Sequence, residues 1–225
     1  MPRDKPSAPR RFRLLVFDWD GTLADSTTII AEAIQRACGD LGLPTPDDVA
    51  ARFVIGLGLA DALRHVAPTL AAADYPRLSE RYRHHYLSRE PEIPLFVGAR
   101  EMLDELDARG FLLAIATGKA RAGLTRALVQ QRLEHRFIAS RCADEGFPKP
   151  HPDMLLALMD RCGVEPVETL MIGDTTHDLE LARNAGACAL AVTYGAHAAE
   201  GLAGCSPLAT VGSIPELAAW LAANA

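Results

Sequence analysis

Lysine is scarce in this sequence. Of its 23 lysine and arginine residues only three are lysines: Lys5, Lys119 and Lys149. Arginine stands at all the other cationic positions, so a lysine beyond the first few residues needs a reason. A compact ammonium group can contact several oxygens at once, which a planar guanidinium does less well.

Cysteine is also sparse, and its spacing is irregular. The five cysteines are an odd number, and no pair forms a C-x-x-C motif. This pattern does not indicate a disulfide framework. It predicts free, buried thiols in a reducing cytoplasm. The cysteines are Cys38, Cys142, Cys162, Cys188 and Cys205.

Long apolar runs and basic stripes are missing as well. No apolar run is long enough to cross a membrane, and the basic start MPRDKPSAPRRFR has no signal-peptide core behind it. The net charge of −6 argues against general nucleic-acid binding. We therefore expect a cytoplasmic protein without nucleic-acid or membrane partners, with residues 1–10 as a disordered tail. The sequence does not indicate an oligomeric state.

Short apolar runs alternate with helix-like segments along most of the chain. This alternation predicts an α/β fold, a doubly wound parallel sheet covered by helices on both faces, formed by residues 11–25 and 95–225. The predicted strands are 12–17, 111–116, 137–140, 169–173, 187–192 and, weakly, 209–211. The predicted helices are 98–109, 121–133, 152–162, 176–185 and 213–223.

Residues 26–94 interrupt this alternation. The strand signal disappears, and helical patterns at 27–41, 56–66 and 75–89 are separated by prolines. We therefore predict a small all-α cap domain inserted after the first strand. The two chain crossings, near Asp25 and near Pro94, are predicted to act as a hinge.

Two aspartates follow the first apolar strand in the stretch FDWDGT. Asp18 and Asp20 are two residues apart, so strand geometry places both carboxylates on the same side. Carboxylates at close range repel, and one of them takes up a proton unless a cation lies between them. A carboxylate that takes up a proton and a carboxylate that binds a cation can each take part in a reaction.

The other predicted strands also end in polar residues. Thr117 and Gly118 follow the second strand, Lys149 lies beyond the third, and Asp174 and Asp178 follow the fourth. Ligands of open parallel sheets bind at the carboxyl ends of the strands, so these residues are expected at one edge. Such a cluster of carboxylates suits Mg²⁺, which prefers oxygen ligands and keeps waters that a phosphate can displace.

These residues resemble the four motifs of the haloacid dehalogenase (HAD) superfamily. The motifs are DxDGT at 18–22, the strand-ending Thr117, Lys149 before a proline, and GDxxxD at 173–178. Four motifs in order are far more specific than any one alone. The resemblance spans about residues 12–192 and includes the helical cap. Within the superfamily the chain is most similar to the phosphoglycolate phosphatase group, through ATGKARAGL (116–124) and KPHPDMLL (149–156).

The resemblance implies a Mg²⁺-dependent phosphatase that hydrolyses a small phosphorylated metabolite. Asp18 would attack phosphorus, and Asp20 would serve as general acid and then general base. The metal would be held by Asp18, Asp174 and the main-chain carbonyl of Asp20. Lys149 would neutralise Asp18 and the phosphoryl oxygens, and Asp178 would orient Lys149 or a metal-bound water.

The remaining implied contacts hold the phosphoryl group. Thr117 and the main-chain amides around Gly21 and Gly118 would donate to its oxygens. Lys119 is expected either to be solvated or to contact phosphate. Asp25 and Ser26 are expected to cap the helix that follows them.

Substrate recognition is expected in the cap. Arg52 is the best candidate to pair with a substrate carboxylate, and Gly56 and Gly58 would let main-chain amides approach a small substrate. These features favour a small, anionic leaving group such as glycolate. The roles of Trp19 and His177 stay open.

Other activities of the superfamily were weighed against this one. Asp20 and Asp174 argue against a metal-free dehalogenase, and residues 26–118 lack the lysine that a phosphonoacetaldehyde hydrolase needs. A phosphosugar mutase remains an alternative. A signalling module whose aspartate is only phosphorylated is an alternative of another class.

Overall fold

A six-stranded, all-parallel sheet forms the centre of the computed structural model, which describes residues 11–225. The strand order is β3-β2-β1-β4-β5-β6, so the order reverses on either side of β1. This doubly wound arrangement confirms the predicted fold class. The strands are β1 (Leu14–Phe17), β2 (Leu112–Thr117), β3 (Ala139–Cys142), β4 (Thr169–Gly173), β5 (Cys188–Val192) and β6 (Thr210–Val211).

The central strand β1 is buried on both faces. Leu15 and Phe17 pack into one apolar layer, whereas Leu14 and Val16 pack into the layer on the opposite face. This explains the uninterrupted apolar run, since a strand covered on both sides needs no polar face. The covering helices are α5 (Ala99–Ala108), α6 (Arg121–Gln131), α7 (Asp153–Cys162), α8 (Thr176–Asn184), α9 (Ala199–Gly204) and α10 (Ile214–Asn224).

Four helices follow β1 before the chain returns to the sheet. The first, third and fourth of them share a small apolar core that contains Cys38, Leu63 and Leu78. We use "cap" below for residues 26–94, the predicted domain limits. The cap helices are α1 (Thr27–Asp40), α2 (Asp48–Phe53), α3 (Leu59–Val66) and α4 (Tyr75–Arg89).

The two crossings between sheet and cap lie side by side. Ala24 and Leu95 form an isolated antiparallel bridge, the amide of Asp25 donates to the Pro94 carbonyl at 3.0 Å, and that of Phe96 donates to the Leu23 carbonyl at 2.9 Å. The paired crossings lie where the sequence predicts the cap to begin and end. Motion about them stays a prediction.

All six predicted strands are present, each shifted by no more than two residues at either end. Two helices, α2 and α9, were not predicted, because six residues are too few to show a helical period. All five cysteines are free, and Cys38 and Cys142 are buried. Among the described residues no helix has the length and apolar character needed to cross a membrane. The predicted tail, residues 1–10, lies outside the described residues.

Candidate active site

The carboxyl ends of β1 and β4 bring two aspartates together. Phe17 and Ile172 are partners in the parallel register, and the amide of Asp18 donates to the Ile172 carbonyl at 2.9 Å. Asp18 therefore lies beside the end of β4, where Asp174 follows Gly173. This neighbourhood follows from the strand order, since β1 and β4 are far apart in the chain.

Three carboxylates meet at this edge. Asp18, Asp174 and Asp178 are each fully buried, and one oxygen from each lies within 4.8 Å of the others. Lys149 Nζ lies 2.9 Å from Asp18 Oδ1 and 2.6 Å from Asp178 Oδ1. One ammonium thus faces three carboxylates, which leaves the cluster short of positive charge.

Hydrogen bonds hold the outer two carboxylates. Thr22 Oγ1 donates to Asp174 Oδ1 at 2.7 Å, and the Ala196 amide donates to Asp174 Oδ2 at 2.7 Å. Asp178 lies in the first turn of α8, where it and Thr175 form a capping box. The Thr175 hydroxyl donates to Asp178 Oδ2 at 2.7 Å. Helix capping therefore fixes the carboxylate that holds Lys149.

Asp18 differs from its neighbours in its hydrogen bonding. Apart from the ion pair of Oδ1 with Lys149, neither of its oxygens has a hydrogen-bond partner among the described residues. Burial, opposed by the charge of Lys149 and assisted by the charges of Asp178 and Asp20, raises its pKa from 3.8 to about 7. Burial, Asp18 and Asp178 also raise the pKa of Asp174 well above its ordinary value. A buried carboxylate with open lone pairs is suited to bind a cation or attack an electrophile.

Lys149 stays protonated in this setting. Burial alone would lower its pKa, but the charges of Asp178 and Asp18 outweigh burial and raise the pKa above its usual range. The ammonium is therefore a permanent positive charge beside Asp18.

Asp20 turns away from this cluster toward the cap. Ser26 Oγ donates to its Oδ1 at 2.7 Å, and Lys119 Nζ lies 3.1 Å from each of its two oxygens. Lys119 also donates to the hydroxyl of Tyr86 on α4, at 2.7 Å. The two lysines beyond the first few residues thus each hold one member of the aspartate pair.

Two expectations about these residues need correction. The side chain of Ser26 makes no capping hydrogen bond to α1, because its hydroxyl is used by Asp20. The exposed Asp25 does not cap α1 either. Lys119 is not solvated: only 9% of its side chain is exposed. The long-range partner that buries Lys119, Tyr86, could not be inferred from local sequence.

Two glycines stand where backbone and side chains approach closely. A Cβ at Gly21 would lie 2.2 Å from Asp174 Oδ2, and Gly21 has a φ of +82°. A Cβ at Gly118 would lie 2.5 Å from the carbonyl oxygens of Gly56 and Leu57 in the cap. Cap carbonyls therefore approach this glycine closely.

A cavity of about 740 Å³ opens above Asp18 and Asp20, between core and cap. Thr117, Gly118 and Lys119 line it from the core. Its remaining walls come mainly from α1, α3, α4 and the loop between α2 and α3. Asp18 and Asp20 therefore lie at the floor of a cleft that is open to solvent on one side.

Arg52 does not line this cavity. Its guanidinium donates to Asp48 at 2.8 Å, to Thr27 at 2.9 Å and to Thr28 at 3.2 Å, which ties α2 to α1. This geometry contradicts the expectation that Arg52 reads a substrate carboxylate. Trp19, 2% exposed, packs in the apolar core and does not line the cavity.

His177 contacts the cap backbone. Its Nε2 lies 2.9 Å from the Phe53 carbonyl, and Nε2 of His197 lies 3.0 Å from the same oxygen. The Phe53 ring stacks on His197, with ring centroids 5.3 Å apart. His197 was missed by the sequence analysis, because it follows β5, where no motif marks it.

The fold and this edge define a haloacid dehalogenase-type site, and comparison with known proteins agrees. Residues 15–192 match the family model described as haloacid dehalogenase-like hydrolase. The chain belongs to this family.

Curated relatives carry phosphatase names. "Probable phosphatase IndB" of Dickeya dadantii is 36% identical over 91% of both chains. A phosphoglycolate phosphatase of Vibrio vulnificus is 31% identical over 92% of this chain and 95% of its own. These matches confirm the predicted family and its enzyme class, a hydrolase whose relatives are named phosphatases.

Solved structures show the same fold. A hydrolase from Pseudomonas syringae superposes with a TM-score of 0.86 at 26% identity, covering 95% of this chain and 99% of its own. A haloacid dehalogenase-like hydrolase from Streptococcus pneumoniae gives 0.80 at 26% identity, over 93% and 98%.

Proposed function

We propose that this protein is a Mg²⁺-dependent phosphatase that hydrolyses a phosphorylated metabolite through an aspartyl-phosphate. The observation that carries the proposal is Asp18, a buried carboxylate with open lone pairs at the floor of the cavity. The matches to phosphatases support the same activity. The five free thiols support a reducing, cytoplasmic environment.

The donor set fits a hard divalent cation. Oxygens of Asp18, Asp174 and Asp178 lie within 4.8 Å of one another, and one ammonium leaves their charge uncompensated. Asp18 and Asp174 would hold Mg²⁺ together with the main-chain carbonyl of Asp20. Bound Mg²⁺ would neutralise charge on the phosphoryl oxygens. Asp178 is already engaged by Lys149 and Thr175, so we assign it to positioning Lys149.

The first half-reaction transfers the phosphoryl group to the enzyme. An oxygen of Asp18 attacks phosphorus, and the bond from phosphorus to the ester oxygen breaks. Asp20 donates a proton to that leaving oxygen, which departs as an alcohol. Thr117, the amides around Gly21 and Gly118, and Lys149 hold the phosphoryl oxygens.

The second half-reaction releases phosphate. Asp20, now a carboxylate, takes a proton from water as the water oxygen attacks phosphorus. The bond between phosphorus and the Asp18 oxygen breaks, which regenerates both aspartates.

Phosphate release from p-nitrophenyl phosphate tests this proposal. We expect turnover with Mg²⁺ and none with EDTA. Asp18→Asn should lower kcat by more than ~10³-fold, because an amide does not attack phosphorus. Asp25→Asn is the matched control, since Asp25 is exposed in the same loop and should keep wild-type activity.

Two outcomes would overturn the proposal. Full activity in EDTA would remove the metal from the mechanism. An aspartyl-phosphate that forms from a small phosphodonor but is never hydrolysed would indicate the signalling module. Product analysis with a hexose 1-phosphate separates the remaining alternative, since a mutase returns a hexose 6-phosphate where a phosphatase releases phosphate.

A further inference from the structure

The cavity above the aspartate pair suits a leaving group unlike glycolate. Resting on the proposed phosphatase function, we infer that the substrate is a phosphomonoester of a bulky, largely apolar alcohol. This leaving group fills the space between the cap helices and contacts their apolar side chains. The inference rests on the cap's position, on the walls of the cavity and on the pairing of its cations.

The cap already rests on the core, so the cavity volume is not that of a raised lid. The Phe53 carbonyl lies within hydrogen-bonding distance of His177 and His197, both of the core. The Gly56 and Leu57 carbonyls come so near Gly118 that a Cβ there would clash with them. Further closure on this side is blocked by contact.

The space between cap and core is large for a two-carbon group. Pockets for drug-sized ligands measure roughly 300–1,000 Å³, and this cavity measures about 740 Å³. At about 30 Å³ for each water, it has room for on the order of twenty waters. A glycolate group would leave most of that space to water.

The cap walls of this space are mostly apolar. Water against such walls is unfavourable, and an apolar group that displaces it gains about 25 cal/mol for each Å² of apolar surface it buries. The apolar cap side chains that line it include Ile30 and Ile34 of α1, Val54 and Leu57 of the α2–α3 loop, and Tyr82 and Leu87 of α4.

Most of the cations that line the cavity already form ion pairs. Arg83, exposed on α4, is the remaining cation of the described lining, and it lies at the solvent side. Lys119 is the buried cation of the described lining, and a carboxylate on the leaving group would meet it only by breaking its pair with Asp20. Arg64 and Arg126, by contrast, are exposed. The existing pairs are Arg64 with Asp61, Arg126 with Glu90, and Lys119 with Asp20.

A series of alkyl phosphates tests the inference. We would measure kcat/KM with Mg²⁺ for ethyl, butyl and hexyl phosphate and for phosphoglycolate. Each added methylene that enters the cavity should raise kcat/KM by about threefold. Phosphoglycolate should be no better than ethyl phosphate.

A variant that fills part of the cavity tests whether the preference for long alkyl esters arises there. Ala60 is exposed on α3 and lines the cavity, so Ala60→Trp adds bulk there without disturbing the core. It should lower kcat/KM for hexyl phosphate at least ~10-fold and leave ethyl phosphate within about twofold. Ala73→Trp is the control, because Ala73 is an exposed cap residue away from the cavity.

The outcomes separate this inference from the proposed function. If ethyl phosphate or phosphoglycolate is hydrolysed as well as hexyl phosphate, the inference is wrong and the phosphatase stands. The same holds if Ala60→Trp reduces all esters equally. If no ester is hydrolysed, including p-nitrophenyl phosphate, the proposed function fails and the inference fails with it.

Discussion

Each of the two catalytic aspartates has its own lysine. Lys149 lies against Asp18, and Lys119 lies against Asp20, both ammonium groups being buried. A buried ammonium needs close anionic oxygens, since burial alone lowers its pKa. Asp178 and Asp18 outweigh burial and raise the pKa of Lys149, and Asp20 and the Tyr86 hydroxyl do the same for Lys119. Lys119 and Lys149, two of the three lysines in this chain, therefore both lie at the proposed active site.

Lys119→Met tests whether this lysine positions the general acid. Lys119 bonds both oxygens of Asp20, so its loss should disturb proton donation to the leaving oxygen. We expect kcat/KM to fall about 10²-fold with an alkyl phosphate, whose leaving group needs the proton. With p-nitrophenyl phosphate, whose leaving group departs without help, the loss should be less than about tenfold.

Arg126→Met is the control for removal of a cavity cation. Arg126 lines the same cavity but pairs with Glu90, away from Asp20. Equal losses for the two esters in Lys119→Met would show that Lys119 supports the fold of the site and does not position Asp20.

The loop between α2 and α3 is the element that joins cap to core. The Gly118 site accepts no side chain while the Gly56 and Leu57 carbonyls lie above it. Gly118→Ala should therefore displace this loop and misplace the phosphoryl contacts. A misplacement of about 1 Å can cost ~10²-fold in rate, and we expect a loss of that size in kcat/KM.

Gly123→Ala is the matched control on the adjoining helix α6. A Cβ there would have its nearest neighbours at 3.8 Å, and alanine is the better helix former. Circular dichroism should show an unchanged fold for both variants. Wild-type activity in Gly118→Ala would contradict a cap seated on this residue during turnover.

At the scale of the whole molecule, buried negative charge makes stability depend on pH and on divalent cations. Burial raises the pKa of Asp18 from 3.8 to about 7, and the pKa of Asp174 shifts in the same direction. Stability from a raised pKa is present below about pH 4 and is lost as pH rises to about 7. For Asp18 alone this amounts to on the order of 4 kcal/mol.

Mg²⁺ should restore that stability where the carboxylates are ionised. We expect Mg²⁺ to raise Tm by on the order of 5–10 °C at pH 8 and by much less at pH 5, measured by scanning calorimetry. In EDTA at pH 8, Asp18→Asn should be more stable than the wild type, because it removes one uncompensated charge. An equal Mg²⁺ effect at both pH values would place the cation elsewhere.

Most of the fold could be predicted from sequence. The apolar runs predicted all six strands, because a strand buried on both faces has no polar positions to interrupt the pattern. The motifs then predicted that Asp18, Asp174, Asp178 and Lys149 would meet at the carboxyl edge, and the structure places them together. Parallel strands require this, since their carboxyl ends lie on one side of the sheet.

The contacts between cap and core depend on the tertiary structure alone. Arg52 lies outside the cavity, Lys119 is buried against Tyr86, and His177 and His197 share the Phe53 carbonyl. Local sequence carries no signal for such pairs, because they join segments distant in the chain and depend on how the cap rests on the sheet. Strand period and motif spacing thus determined the catalytic edge. The packing of the cap determined the shape and polarity of the space above it.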